Sequence, residues 1–172
     1  MIVLMSGLPG TGKTTLAREL AQRTQGALLS KDEIRAALFS PGDIEYSAAQ
    51  DDLVMEAMLE AAGYLLQKHP ERKVFLDGRP FSSRYQVERV LGFACRLAQP
   101  CTIIECTCSD ESAHRRLDLE CDPSHPAQNR TFALYLEVKA RFEAIAYPKT
   151  TINTDQPVEH CVEKALAALT VR

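Results

Sequence analysis

A chain of 172 residues has room for one compact domain with a substantial core and little for a second. Its 45% hydrophobic and 25% charged residues belong to an ordinary globular protein, which excludes a disordered chain and a membrane-embedded bundle. With a formal net charge of -3 there is no global field to attract a polyanion, so nucleic acid is possible but not favoured and would need a local site.

Residues 1–5 are apolar but lack a positive leader and run directly into glycines, so no signal peptide is expected. Apolar runs elsewhere are broken by charge well before the roughly 20 residues of a membrane span. The expectation is a cytoplasmic protein whose six cysteines stay reduced. "IVLM" at 2–5 predicts a strand buried on both faces. From Lys13, Leu16, Ala17, Leu20 and Ala21 recur at helical spacing, and Gly26 follows. A second strand is expected at 27–30. Ser30 and Glu33 then have capping-box spacing for a helix over 31–39. Ser47 and Gln50 repeat that signal before a long helix carrying Leu53, Val54, Ala57, Met58, Ala61, Leu65 and Leu66.

"KVFLDG" at 73–78 is a third strand ending in an acid and a glycine. A helix over about 82–97 follows, with Tyr85, Val90, Leu91 and Ala94 on one side, then a fourth strand, "CTIIECT". After it come a helix near 110–119, an interruption at 121–129, another helix to about Ala146, and a last strand, "TTIN". Val158, Cys161, Val162, Ala165, Leu166 and Leu169 make the apolar stripe of a closing helix. Strands alternating with helices imply a parallel sheet of about five strands covered on both faces, in one α/β domain spanning 1–172. Only residues 39–46 and 121–129 are irregular for long enough to be mobile. No heptad run marks an oligomer interface.

Gly7, Leu8, Pro9, Gly10, Thr11, Gly12, Lys13 and Thr14 spell G-x-x-x-x-G-K-[ST] between a strand and a helix, the context that gives the motif its meaning. The glycines let successive backbone amides, up to Thr15, turn inward toward phosphate oxygens at the positive end of a helix dipole. Lys13 would reach the terminal phosphates of ATP, and the Thr14 hydroxyl would ligate Mg²⁺. A guanine-specific GTPase is disfavoured: no N-K-x-D segment occurs, and "DGRP" lacks the second glycine of D-x-x-G.

"LMSGLPGTGKTTLARELA", "SKDEIR" and "VFLDGRPF" together resemble the small P-loop kinases of the ATP-binding AAA-domain type. That group is related to polynucleotide kinase, chloramphenicol phosphotransferase, gluconate kinase and zeta toxins. The resemblance covers the first half of the chain well and the second half in layout only. It implies a three-layer αβα P-loop fold with strand order 2-3-1-4-5 and a short helical lid near 115–131. It also implies ATP-dependent phosphoryl transfer to a hydroxyl of a small molecule or nucleotide.

In "SKDEIR", Asp32 and Arg35 stand at i and i+3, on one face near a helix start. The resemblance implies that Asp32 accepts the proton of the attacking hydroxyl while Arg35 holds the acceptor. The plainer alternative is a first-turn dipole acid with a solvated arginine. Asp77, at a strand end, can hold Mg²⁺ through water or merely cap the next helix. Arg79 is placed to reach the acceptor, and Arg84 is a weaker candidate. In related kinases lid arginines meet the transferring phosphoryl group, which selects Arg116 first and Arg130 second, although Glu120 stands where a compact R-x-x-x-R lid has its second arginine. Cys106, Cys108, Cys121 and His125 do not make the C-x-x-C knuckle of a zinc site. The reading from another class is an ATP-binding switch or scaffold with slow or no hydrolysis.

Overall fold

The structure, a computed structural model, describes residues 1–119 and 130–170. Five parallel strands, β1 (Ile2–Ser6), β2 (Ala27–Ser30), β3 (Val74–Asp77), β4 (Cys101–Thr107) and β5 (Thr150–Asn153), form one sheet in the order β2-β3-β1-β4-β5. The helices are α1 (Lys13–Thr24), α2 (Lys31–Leu38), α3 (Ala48–Lys68), α4 (Arg84–Arg96), α5 (Asp110–His114), α6 (Phe132–Ala140) and α7 (Val158–Thr170). A 3₁₀ turn covers Pro41–Asp43, and a π-helical turn, Arg115–Leu119, continues α5. The fold is the expected α/β P-loop architecture, with the expected strand order.

Alternation within β1 explains the two cores. Ile2 and Leu4 pack with Val74 and Leu76 under α3 and α4, while Val3 and Met5 pack with Phe75 under α1 and α7. All of these side chains are fully buried, and burial stabilises the fold by roughly 1.5–3 kcal/mol for each large one. A strand apolar on both faces is stable only between two helical layers. Both predicted caps form: Ser30 Oγ accepts from Glu33 N, and Ser47 Oγ accepts from Gln50 N. The Gln50 side chain does something further. It accepts from Glu45 N and donates to Asp43 O, tying residues 43–45 to the start of α3.

Three helices differ from expectation. The one predicted to run to Ala146 stops at Ala140 because the following residues are recruited by α4. Glu143 N donates to Ser82 O, the Glu143 carboxylate accepts from Arg84 N, and Ile145 enters the core. On α4 the buried residues are Val87, Val90, Phe93 and Ala94; Tyr85 is half exposed and faces an arginine instead. The stretch expected as one helix near 110–119 widens into the π turn after His114. Leu53 and Val158 are exposed members of stripes whose other residues are buried or half-buried. Of the lid expected at 115–131, residues 120–129, with Glu120, Cys121 and His125, lie outside the described residues.

Candidate active site

The turn after β1 is built by its glycines. Gly7 has φ 134°, and a Cβ there would lie 2.2 Å from the Cys106 carbonyl oxygen on β4. Only glycine lets the chain leave the sheet so close to its neighbour. Gly10 and Gly12 also have positive φ, and Gly12 caps α1. Thr11 Oγ1 and Lys13 Nζ each donate to Leu8 O at 2.7 Å, which holds the lysine over the concave side of the loop. Lys13 is 8% exposed. Burial lowers its pKa from the usual 10.5, and the Asp77 carboxylate opposes this most strongly.

Because β3 lies beside β1, Asp77 ends at the same sheet edge. Thr14 Oγ1 donates to Asp77 Oδ2 at 2.7 Å. Asp77 is 1% exposed, and its other oxygen, Oδ1, has no donor among the described residues. A buried carboxylate oxygen without a donor, beside a hydroxyl, fits a hydrated Mg²⁺ ion well. Gly78 follows with φ 95°; a Cβ there would lie 2.9 Å from Lys31 Cβ and 3.0 Å from Lys31 N. That glycine lets the end of β3 press against the start of α2, which places Asp32 near Asp77. The strand exit continues through Pro80, whose carbonyl accepts from Gly7 N and Ser6 Oγ. Phe81 is fully buried at φ 55°, a backbone cost of about 1–3 kcal/mol that core packing supports. The Arg79 loop is thus fastened to both the phosphate turn and the core.

Between these elements lies a cleft of about 360 Å³, lined by Lys13, Thr14, Asp32, Arg35 and Arg79 among others. Asp32 Oδ1 accepts from Arg35 Nη1 at 3.1 Å. Arg35 is 2% exposed, so it is not the solvated arginine of the plainer reading, and Arg79, at 3%, is buried as well. Arg35 also meets the Asp51 carboxylate, which Lys31 Nζ contacts at 2.9 Å. Arg79 Nη1 donates to Asp52 at 2.7 Å. Arg84, by contrast, is exposed beside Glu88.

Arg130 lines the cleft, whereas Arg116 does not. The Arg116 guanidinium donates to Gly10 O, Thr154 Oγ1 and Thr154 O. It belongs to a second hollow of about 330 Å³, shared with Gly12, Thr15, Arg130, Gln156 and Cys161. The Thr154 hydroxyl also lies 3.0 Å from Thr11 O, so Arg116 and Thr154 brace the phosphate turn from the β5 side.

Sequence reasoning missed Asp51, Asp52 and Thr154. The signal for Thr154 was its place just beyond a strand's C-terminal end. For Asp51 and Asp52 it was two acids in the first turns of a capped helix, which look like ordinary dipole partners. Among the described residues no three His, Cys, Asp or Glu side chains group as metal ligands. Burial raises the Cys106 thiol to about 12, so it stays protonated.

A phosphate turn on a 2-3-1-4-5 sheet, with a strand-end aspartate bonded to its threonine, defines a P-loop nucleotide-binding domain of the small-kinase type. The AAA domain family profile matches residues 2–145, and the chain belongs to that family. Solved structures similar along nearly their whole length include a sugar kinase from a Janibacter species (18% identity, 98% of this chain and 93% of that one, TM-score 0.67). A gluconokinase from Sinorhizobium meliloti is similar at 16% identity over 97% and 90%, TM-score 0.68. So is the Mycobacterium tuberculosis APS kinase CysC in complex with AMPPNP and APS, at 13% identity over 99% and 97%, TM-score 0.74. No curated protein matches the chain significantly in sequence. No described helix is long and apolar enough to cross a membrane.

Proposed function

We propose that this protein is an ATP- and Mg²⁺-dependent phosphotransferase that moves the γ-phosphoryl group to a hydroxyl of a small molecule. The observation that carries this reading is Asp32, a carboxylate on the wall of the cleft that also holds Lys13 and the phosphate turn. A domain that only bound or slowly hydrolysed nucleotide would have no use for a base there, backed by a buried arginine.

The turn amides of Gly10 and of Gly12 to Thr15 and the Lys13 ammonium bind the phosphates and offset charge that builds on them. Thr14 and Asp77 would hold Mg²⁺, which neutralises phosphate charge when bound. Asp32 orients the acceptor hydroxyl and takes its proton as the new P–O bond forms and the bond to the leaving ADP oxygen breaks. Arg35, through Nη1, keeps the Asp32 carboxylate aimed, and Arg35 and Arg79 hold the remainder of the acceptor. Arg130 lines both hollows and is the arginine placed to meet the transferring group. Arg116 acts at the nucleotide end by bracing the turn.

The test is transfer from γ-labelled ATP to a panel of sugars, sugar acids, nucleosides and short oligonucleotides. Label moving to one compound well above the water background supports the reading. Label moving to water alone across the panel would return the protein to the switch class.

A further inference from the structure

The acceptor end of the cleft has a composition that a neutral polyol does not require. Among the described residues, seven cationic side chains line the cleft against two carboxylates, Asp32 and Asp51. Magnesium-bound ATP carries a net charge of about -2 and leaves most of that excess unmatched. The surplus is concentrated on the floor, where Lys31, Arg35 and Arg79 are 6%, 2% and 3% exposed. Buried cations are costly unless paired, and each of these has a carboxylate partner from α3: Asp51 for Lys31 and Arg35, and Asp52 for Arg79. The pairing is incomplete, because Nε of both Arg35 and Arg79 is buried without an acceptor among the described residues. Each arginine also lies under a tyrosine ring, Tyr46, which lines the cleft, over Arg35 and Tyr85 over Arg79.

We infer that the acceptor carries an oxyanion (a phosphate, sulfate or carboxylate group), clamped by Arg35, Arg79 and Lys31, and that the Asp51 carboxylate holds this place until it binds. The inference rests on the phosphotransferase reading for what the bound compound does, but not for its charge. Asp51 is the only carboxylate besides Asp32 among the described residues lining the cleft, and it contacts two of the three floor cations directly. A carboxylate and a substrate oxyanion make the same forked contacts with guanidinium. Asp51 therefore acts as an internal competitor. It offsets the charge of the cations in the free protein and weakens every anion that enters. A neutral alcohol has nothing with which to replace it, so the exchange favours anionic acceptors.

The test uses protein labelled with ¹⁵N-arginine and saturated with AMPPNP and Mg²⁺, so that the phosphate turn is filled. Inorganic phosphate is titrated at constant ionic strength, and the Nε–H signals of Arg35 and Arg79 are followed, with Arg35→Lys and Arg79→Lys for assignment. The expected result is a saturable shift of both signals with phosphate and none with glycerol. Asp51→Asn should tighten phosphate by about tenfold. Arg35→Lys, which keeps the charge and loses the fork, should weaken it. Signals unmoved by phosphate, or moved equally by glycerol, would overturn the inference. So would an Asp51→Asn protein that folds and binds phosphate no more tightly.

A transfer assay on glycerol, glycerol phosphate and glycerate, and on glucose with its sulfate, phosphate and acid counterparts, separates the two readings and the oxyanion sources. Transfer to neutral members without arginine shifts would leave a kinase and remove the oxyanion site. Arginine shifts without transfer to any compound would leave the anion site and remove the kinase.

Discussion

Thr14 and Asp77, 63 residues apart in the chain, are joined by a hydroxyl-to-carboxylate hydrogen bond of 2.7 Å at the shared edge of β1 and β3. The bond leaves the buried Oδ1 of Asp77 without a donor among the described residues. Asp77→Asn keeps the shape and a partner for Thr14 but removes the charge that would attract a divalent cation. The expected outcome is a shift of the Mg²⁺ requirement to higher concentration and a transfer rate lower by about 10²-fold, on the scale of losing one charge-stabilising group. A Mg²⁺ titration of labelled-phosphoryl transfer measures both.

Asp32→Asn removes the proposed proton acceptor while preserving size and the contact with Arg35. Nucleotide affinity is expected to stay within about twofold, with transfer falling by about 10²–10⁴-fold, the range for a positioned general base. Equilibrium AMPPNP binding and single-turnover transfer, measured on the same preparation, give the two numbers.

Arg116→Ala and Arg130→Ala should fail differently. Arg116 ties Gly10 to Thr154, so its loss should loosen the turn and weaken nucleotide binding by about tenfold, with a smaller effect on the rate at saturation. Arg130 faces both hollows, and its loss should lower the rate at saturating ATP. Comparing KM for ATP with kcat for each variant distinguishes them.

Lys13 links nucleotide binding to pH. Burial holds its pKa in the folded chain below the unfolded value of 10.5. The unfolded state therefore binds more protons between those two values, so the buried ammonium costs stability at neutral pH. That cost shrinks as pH rises through the folded pKa toward 10.5. A triphosphate beside the lysine raises the pKa, so binding takes up a proton in the alkaline range and affinity falls as pH climbs. Calorimetric titration of AMPPNP at pH 9 in two buffers of different ionisation enthalpy should show that uptake, and Lys13→Met should abolish it.

Gly7→Ala should be a folding lesion. The added Cβ would meet the Cys106 carbonyl at 2.2 Å in a backbone conformation unsuited to alanine, and the combined cost is more than about 3 kcal/mol. Urea denaturation of the variant and the parent chain measures it.

The phosphate turn, the five strands and both serine caps were legible because each rests on local chemistry: glycine torsions, β-branched runs and a hydroxyl three residues before an amide. The strand order came from family resemblance, since register between distant strands leaves no mark in one sequence. The end of α6 was misread because Glu143 and Ile145 serve α4 and the core, a tertiary demand that overrides helical spacing. At the candidate site, nearness to strand ends singled out Asp32, Arg35 and Arg79, which line the cleft, and Asp77, which bonds Thr14. Arg116 was expected to meet the transferring phosphoryl group; its guanidinium bonds Gly10 and Thr154, a pairing that nothing local in the sequence announces. Asp51 was overlooked because its partners, Lys31 and Arg35, lie on another helix.

The order of the sheet also partitions labour along the polypeptide. Among the described residues, Lys31, Asp32, Arg35, Asp51 and Arg79 of the proposed acceptor floor come from the stretch between β2 and the start of α4. The opposite hollow draws Arg116, Thr154, Gln156 and Cys161 from later in the chain. The boundary between β1 and β3 is thus a natural splice line. Transplanting the segment 27–97 from one such domain into another should carry recipient preference with it, provided that the incoming segment keeps Asp77 and Pro80, which serve the phosphate turn.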